Sequence, residues 1–184
     1  MKLACALAVS LLACGGDGDT ITDLEGVYTV ATHTQNLTSC DAEGASVTAN
    51  SPPNLFVKSE NFLGQKFVNV NECESVGECQ TLAADDSTLH IGQFGFETGS
   101  DSAGWTNTSA FASNFAGEDC EATRTAASLT DEGGAIRIEA RVSHATFAPG
   151  SGSDACPDEA ALAATADAPC EQLEVLTATF TADF

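Results

Sequence analysis

Asp131-Glu132-Gly133-Gly134-Ala135-Ile136-Arg137-Ile138-Glu139-Ala140-Arg141-Val142-Ser143-His144 is the stretch that decides the fold class. Ile136, Ile138, Ala140, Val142 and His144 fall on one side of an extended chain, and Arg137, Glu139, Arg141 and Ser143 on the other. A period of two belongs to a strand, not a helix. One side suits a core and the other suits water, as in an antiparallel sheet solvated on one face. The Asp-Glu-Gly-Gly run supplies residues that accept positive φ in a tight hairpin turn. The preceding stretch, Cys120 to Thr130, is therefore expected to pair back on the strand that follows.

Working outward, similar short extended runs recur. They are Gly26 to His33, Asn54 to Lys58, Lys66 to Val70, Thr88 to Glu97, Trp105 to Phe115 and, last, Glu171 to Phe180. In the first run, alternation puts His33 on the face opposite Tyr28 and Val30. The last run is apolar on both faces near Leu173, Val175, Leu176 and Phe180, which suits a strand that closes a sheet. One helix interrupts the pattern. Pro157, Asp158 and Glu159 make a favourable first turn, an Ala-rich run continues to Asp167, and Pro169 stops it. The expectation is an all-β domain: one antiparallel meander, barrel or sandwich, of about eight strands, with a short helix before the last strand.

At the N-terminus, Lys2 precedes an apolar run from Leu3 to Leu12 and then Leu11-Leu12-Ala13-Cys14. The run is too short to cross a bilayer, which takes roughly 20 residues, and has the layout of an export signal. The Leu-Leu-Ala-Cys ending resembles the lipobox of bacterial lipoproteins. That resemblance implies cleavage before Cys14, lipidation of Cys14 as the new N-terminus, and a membrane partner reached through the lipid. Gly15 after the cysteine resembles outer-membrane sorting, so the address is the cell envelope. The implied organisation is a signal in 1–13, a lipidated tether in 14–24 and a β domain in 25–184. Several acyl chains hold a protein far more firmly than one.

The sequence has eight cysteines. With Cys5 removed and Cys14 lipidated, Cys40, Cys73, Cys79, Cys120, Cys156 and Cys170 remain. An even set in an exported chain predicts three disulfides. Proximity pairs Cys73 with Cys79 and Cys156 with Cys170, which leaves Cys40 with Cys120. The staples suit a core rich in small residues. Taking residues 1–13 from the 184 leaves 171; the removed stretch holds Lys2 and no acid, so five basic and 27 acidic residues remain, a formal charge of −22. Nucleic acid is excluded as a partner by that charge.

Gly26-Val27-Tyr28 is similar to the Gly-x-Trp opening of lipocalins. The resemblance covers three residues and the strand count; the Trp is absent and no Thr-Asp-Tyr follows. It implies a lipocalin-like topology and names no ligand.

The chain carries no nucleophile elbow, zinc-protease helix motif, Walker loop or dinucleotide glycine motif, and neither cofactor nor catalytic residue is assigned. His33, His90 and His144 fall on three separate strands and are read as unrelated residues rather than metal ligands. Trp105, Phe111 and Phe115 are odd-numbered, so an unbroken strand puts them on one face, opposite small or polar residues. That face is expected to point inward, filling a core or lining a pocket for a small apolar ligand. Arg137 and Arg141 flank Glu139 and are read as a self-neutralising surface row. The expected function is non-enzymatic, an envelope-anchored structural or interaction module, with a lipocalin-like carrier as the alternative. A histidine in a cleft beside a serine or carboxylate would favour a hydrolase instead.

Overall fold

The computed structural model describes residues 22–47, 51–62, 65–85, 94–114, 118–151 and 155–184. The signal, Cys14, the tether to residue 21, His90 and Phe115 lie outside them. The elements run β1 (Gly26–Asn36), β2 (Ala45–Ser46), β3 (Asn54–Phe62), β4 (Gln65–Cys73), α1 (Val76–Ala83), β5 (Phe94–Phe96), β6 (Thr98–Ser100), β7 (Gly104–Ser113), β8 (Cys120–Asp131), β9 (Ala135–Phe147), α2 (Asp158–Ala164) and β10 (Cys170–Ala182).

The strands form one antiparallel sheet in the order β5-β4-β3-β1-β10-β9-β8-β7-β6, with β2 added to β1. The first and last long strands are therefore neighbours at its middle. The sheet curls into a nearly closed barrel. Across the seam, Asn107 Nδ2 donates to Gly95 O at 2.7 Å, and Glu97 N to Thr106 O at 3.3 Å. The β8–β9 hairpin forms as its sequence dictates. Gly133 and Gly134 both take positive φ (74° and 92°), and Asp131 Oδ1 accepts the Gly133 N–H at 2.8 Å. Ile136, Ile138 and Ala140 face the core, and Arg137, Glu139 and Arg141 face out.

The core has two parts. Inside the barrel, Leu24, Tyr28, Leu55, Val57, Val68, Phe96, Trp105, Leu129, Ile136, Ile138 and Leu176 form one buried cluster. Outside it, Val27, Phe56, Cys73, Cys79 and Ala83 form a second, under α1. This helix is not among the elements expected from the sequence. Its start is nevertheless encoded, because Ser75 Oγ accepts the Glu78 N–H at 3.2 Å in a Ser-x-x-Glu arrangement. The second helix, α2, packs on β7, β8 and β9 and buries Ala161 and Thr165. It stops at Ala164, short of Asp167, where the Thr165 hydroxyl bonds back to Ala161 O at 2.7 Å.

Three disulfides are present, with Cα separations of 5.7 Å (Cys40–Cys170), 5.4 Å (Cys73–Cys79) and 5.7 Å (Cys120–Cys156). The expected pairing of Cys156 with Cys170 by proximity, and of Cys40 with Cys120 as the remaining pair, is thus corrected. Cys170 opens β10, which lies beside β1, so the segment leaving β1 delivers Cys40 to it. Cys120 opens β8, two strands further from β1 than β10. The chain after β9 brings Cys156 over the start of β8 instead, and α2 then carries the chain away towards β10.

Candidate functional site

One end of the barrel is sealed by the segment that leads into it. Thr22 and Leu24, expected within the flexible tether, are buried. The Asp101 carboxylate accepts hydrogen bonds from the Thr22 hydroxyl, from Asp23 N at 2.6 Å and from Trp105 Nε1 at 2.7 Å. Burial alone would raise the Asp101 carboxyl. The bonds from Thr22, Trp105 and Asp23 outweigh it and hold the group below the ordinary aspartate value. Tyr28 donates to Leu24 O at 2.8 Å, and burial, followed by the charges of Asp131 and Asp101, pushes its hydroxyl up to about 12.

Among the described residues the inside of the barrel is packed with core side chains. The enclosed space beside the core is about 10 Å³ and is lined by Leu55, Val70, Phe94, Ile138 and Leu176 below and by His33, Glu72 and Glu174 above. A space of that size holds about one water, whereas a small-ligand site needs about 300 Å³ or more. Trp105 is 6% exposed and belongs to the core, but Phe111 is 60% exposed, so the expectation that it faces inward into a core or pocket is corrected. The parity of the strand holds: Trp105 stands opposite Leu129 and Phe111 opposite Thr123. What changes is the depth, because β7 runs past the end of the apolar cluster and its last odd positions meet water.

At this other end the inner surface is polar. The β1–β10 register shifts between Val30 and Thr32, an irregularity that turns His33 to the inner face, not away from Tyr28 and Val30 as simple alternation demanded. His33 Nε2 lies 2.6 Å from Glu174 Oε1, and Nδ1 lies 3.1 Å from Ser51 Oγ. A carboxylate only accepts, so Nε2 donates to Glu174, and in the neutral ring Nδ1 accepts from Ser51. Burial, then the neighbouring Glu174 and Glu74 charges, raise the Glu72 carboxyl, with His33 partly opposing them. Ser51 and Glu72 also border an open cleft of about 460 Å³ with Glu74 and Glu78.

Serine, histidine and carboxylate in sequence are the parts of an acyl-transfer site. Such a site also needs donors aimed at a developing oxyanion. The residues after Ser51 are Pro52 and Pro53, which have no N–H, and the adjoining cleft wall carries carboxylates, which penalise further negative charge. The chain of bonds ties the segment around Ser51 to β1 and β10. Sequence reading missed it, since only the irregular register reveals which way His33 faces.

His144 Nδ1 meets Glu171 Oε2 at 3.1 Å. Among the described residues no cluster of three or more His, Cys, Asp or Glu is arranged to hold a metal ion. On the outer face, Arg137 meets Glu139 at 2.9 Å and Glu43 at 2.8 Å, while Arg141 meets Glu139 at 3.2 Å. The bond from Arg137 is the main reason the Glu139 carboxyl is lowered. The row is self-neutralising, but β8 adds to the same face an arginine the sequence reading passed over, Arg124, whose Nε is buried without a hydrogen-bond partner.

The chain matches no protein-family model, no curated protein and no solved structure. Function therefore rests on the chain's own sequence and geometry.

Proposed function

We propose that this protein is an envelope lipoprotein, held at the outer membrane through lipidated Cys14, whose barrel is a non-enzymatic structural or interaction module. The observation that supports this over the lipocalin-like carrier is the filled interior, with about 10 Å³ of enclosed space where a carrier needs a chamber. The anchor rests on the Leu11-Leu12-Ala13-Cys14 signal. The clamp at Asp101 adds an orientation. Only residues 15–21 separate Cys14 from Thr22, a reach of at most about 28 Å, so the sealed end faces the bilayer and the polar end is displayed.

The test has two parts. Cells expressing the protein and its Cys14→Ser variant are labelled with a palmitate analogue and fractionated. Label and membrane association should be lost in the variant; retention of both would refute the anchor. Native mass spectrometry of the purified protein should show no co-purifying small molecule, and a stoichiometric apolar ligand would establish the carrier reading instead.

A further inference from the structure

We propose that Arg124 and Arg141 form a binding site for a phosphate-type oxyanion on the outer face of β8 and β9. The chain has six Lys and Arg against 27 Asp and Glu, yet three of the six, Arg124, Arg137 and Arg141, share this one face. The register places Arg124 opposite Ser143 and Ala126 opposite Arg141, so Arg124 and Arg141 are diagonal neighbours. Diagonal positions across an antiparallel pair lie roughly 7–8 Å apart, within reach of two arginine side chains converging on one group.

The three arginines are not equally satisfied. Arg137 is held by two carboxylates, Glu139 and Glu43. Arg141 has one contact, the longest of the set, to a Glu139 already engaged by Arg137, and it is 48% exposed. Arg124 lies in no ion pair among the described residues, and its Nε is buried with no acceptor. A buried donor left without an acceptor is costly, and folded proteins seldom retain one. In a chain this acidic, a carboxylate partner would have been easy to provide. The strip instead holds three guanidinium groups against two carboxylates, and Arg124 has the small Ala110 across from it on β7, Ser143 across from it on β9 and Ala126 two residues along β8.

A guanidinium presents its donors as a planar fork that fits phosphate oxygens in pairs. A tetrahedral dianion offers an oxygen pair to each of two forks at once, whereas a carboxylate shared by two guanidiniums, as Glu139 is, gives each only one oxygen. The geometry therefore favours phosphate over a simple acid. The site does not depend on the lipid anchor, so its failure would leave the envelope reading untouched.

Titration of the full chain in non-ionic detergent, at constant ionic strength in chloride, tests this by calorimetry with inorganic phosphate as the probe. Wild type should bind saturably at millimolar phosphate. Arg124→Gln should weaken binding about tenfold or more, with a smaller loss for Arg141→Gln, which gives up a group already half engaged. Ala126→Glu keeps both arginines but places a carboxylate between them; it should abolish binding and raise the melting temperature. That variant decides the matter if Arg124→Gln does not fold. Short-chain phosphatidylglycerol forms a second arm: binding of both probes makes a lipid headgroup the natural source, and binding of inorganic phosphate alone points to a free phosphate or monoester. Absence of saturable binding by either probe, or equal affinity in wild type and Ala126→Glu, overturns the proposal.

Discussion

At one end of the barrel the Asp101 carboxylate sits beside buried Leu24 and Trp105 and is lowered; at the other, Glu72 sits beside an open cleft and is raised. The difference lies in donors rather than in depth. Asp101 collects three hydrogen bonds, which outweigh its desolvation. Glu72 has only the His33 charge to offset burial and two neighbouring glutamates. The same strands thus build a sealed, apolar, donor-rich end and a wet, acidic end held by one histidine.

The sharpest way to break that comparison uses one strand. Trp105 and Phe111 are aromatic residues on the same face of β7 that reach opposite ends of the barrel. Trp105→Ala should cost about 3–5 kcal/mol, because it empties a packed core position and strips Asp101 of a donor. Phe111→Ala should change stability by less than about 0.5 kcal/mol, as expected for an exposed side chain. Urea unfolding of both variants measures the pair. Similar losses would mean that the far end is packed in solution and that the contrast between the ends fails.

A smaller effect sharpens the contrast at the carboxylates. Asp101→Asn keeps the shape of the side chain but removes the charge and leaves one accepting oxygen in place of two, so that its NH2 group faces at least one of the three donors. A loss of about 2 kcal/mol is expected at neutral pH, since bonds to charged acceptors are worth more than neutral ones and this site is only partly exposed. Because the folded-state value is lowered, the Asp101 contribution is complete above the ordinary aspartate value of 3.8 and disappears as pH falls through the folded value. The gap between wild type and variant should therefore close in acid. A gap that persists at pH 2 would mean the loss is steric.

These contrasts were partly legible beforehand. The alternation through Ile136–Val142 and the paired glycines at 133 and 134 specify β9 and its hairpin, because both signals are local. Ser75 and Glu78 also spelled out the start of α1, but a helix of eight residues that begins inside a cystine loop leaves little periodicity to notice. Other features are not local. Disulfide pairing follows from strand order: Cys40 meets Cys170 because β1 lies beside β10, a fact about residues 130 apart. One irregularity in register reverses the face of His33, and no residue type near Val30 announces it. For Phe111 the alternation was right and the reach of the core was wrong, since parity says which side a residue takes but not how far the apolar cluster extends.

The mildest change tests the acidic end itself. Glu72 is raised by burial and by Glu174 and Glu74, so its charged form is disfavoured in the folded protein. At neutral pH that charge works against folding, by an amount that solvent at this rim keeps small. Glu72→Gln should therefore stabilise the protein by about 0.5 kcal/mol at pH 7. A raised folded value makes the penalty fade as pH drops through it, and none is left below the ordinary glutamate value of 4.5. The gain in unfolding midpoint should shrink between pH 7 and pH 4, the opposite of the trend for Asp101→Asn, where acid removes a loss. His33 supplies the competing expectation. If its attraction to Glu72 outweighed burial and the two glutamates together, Glu72→Gln would destabilise at pH 7, and His33 rather than repulsion would set the balance at this end.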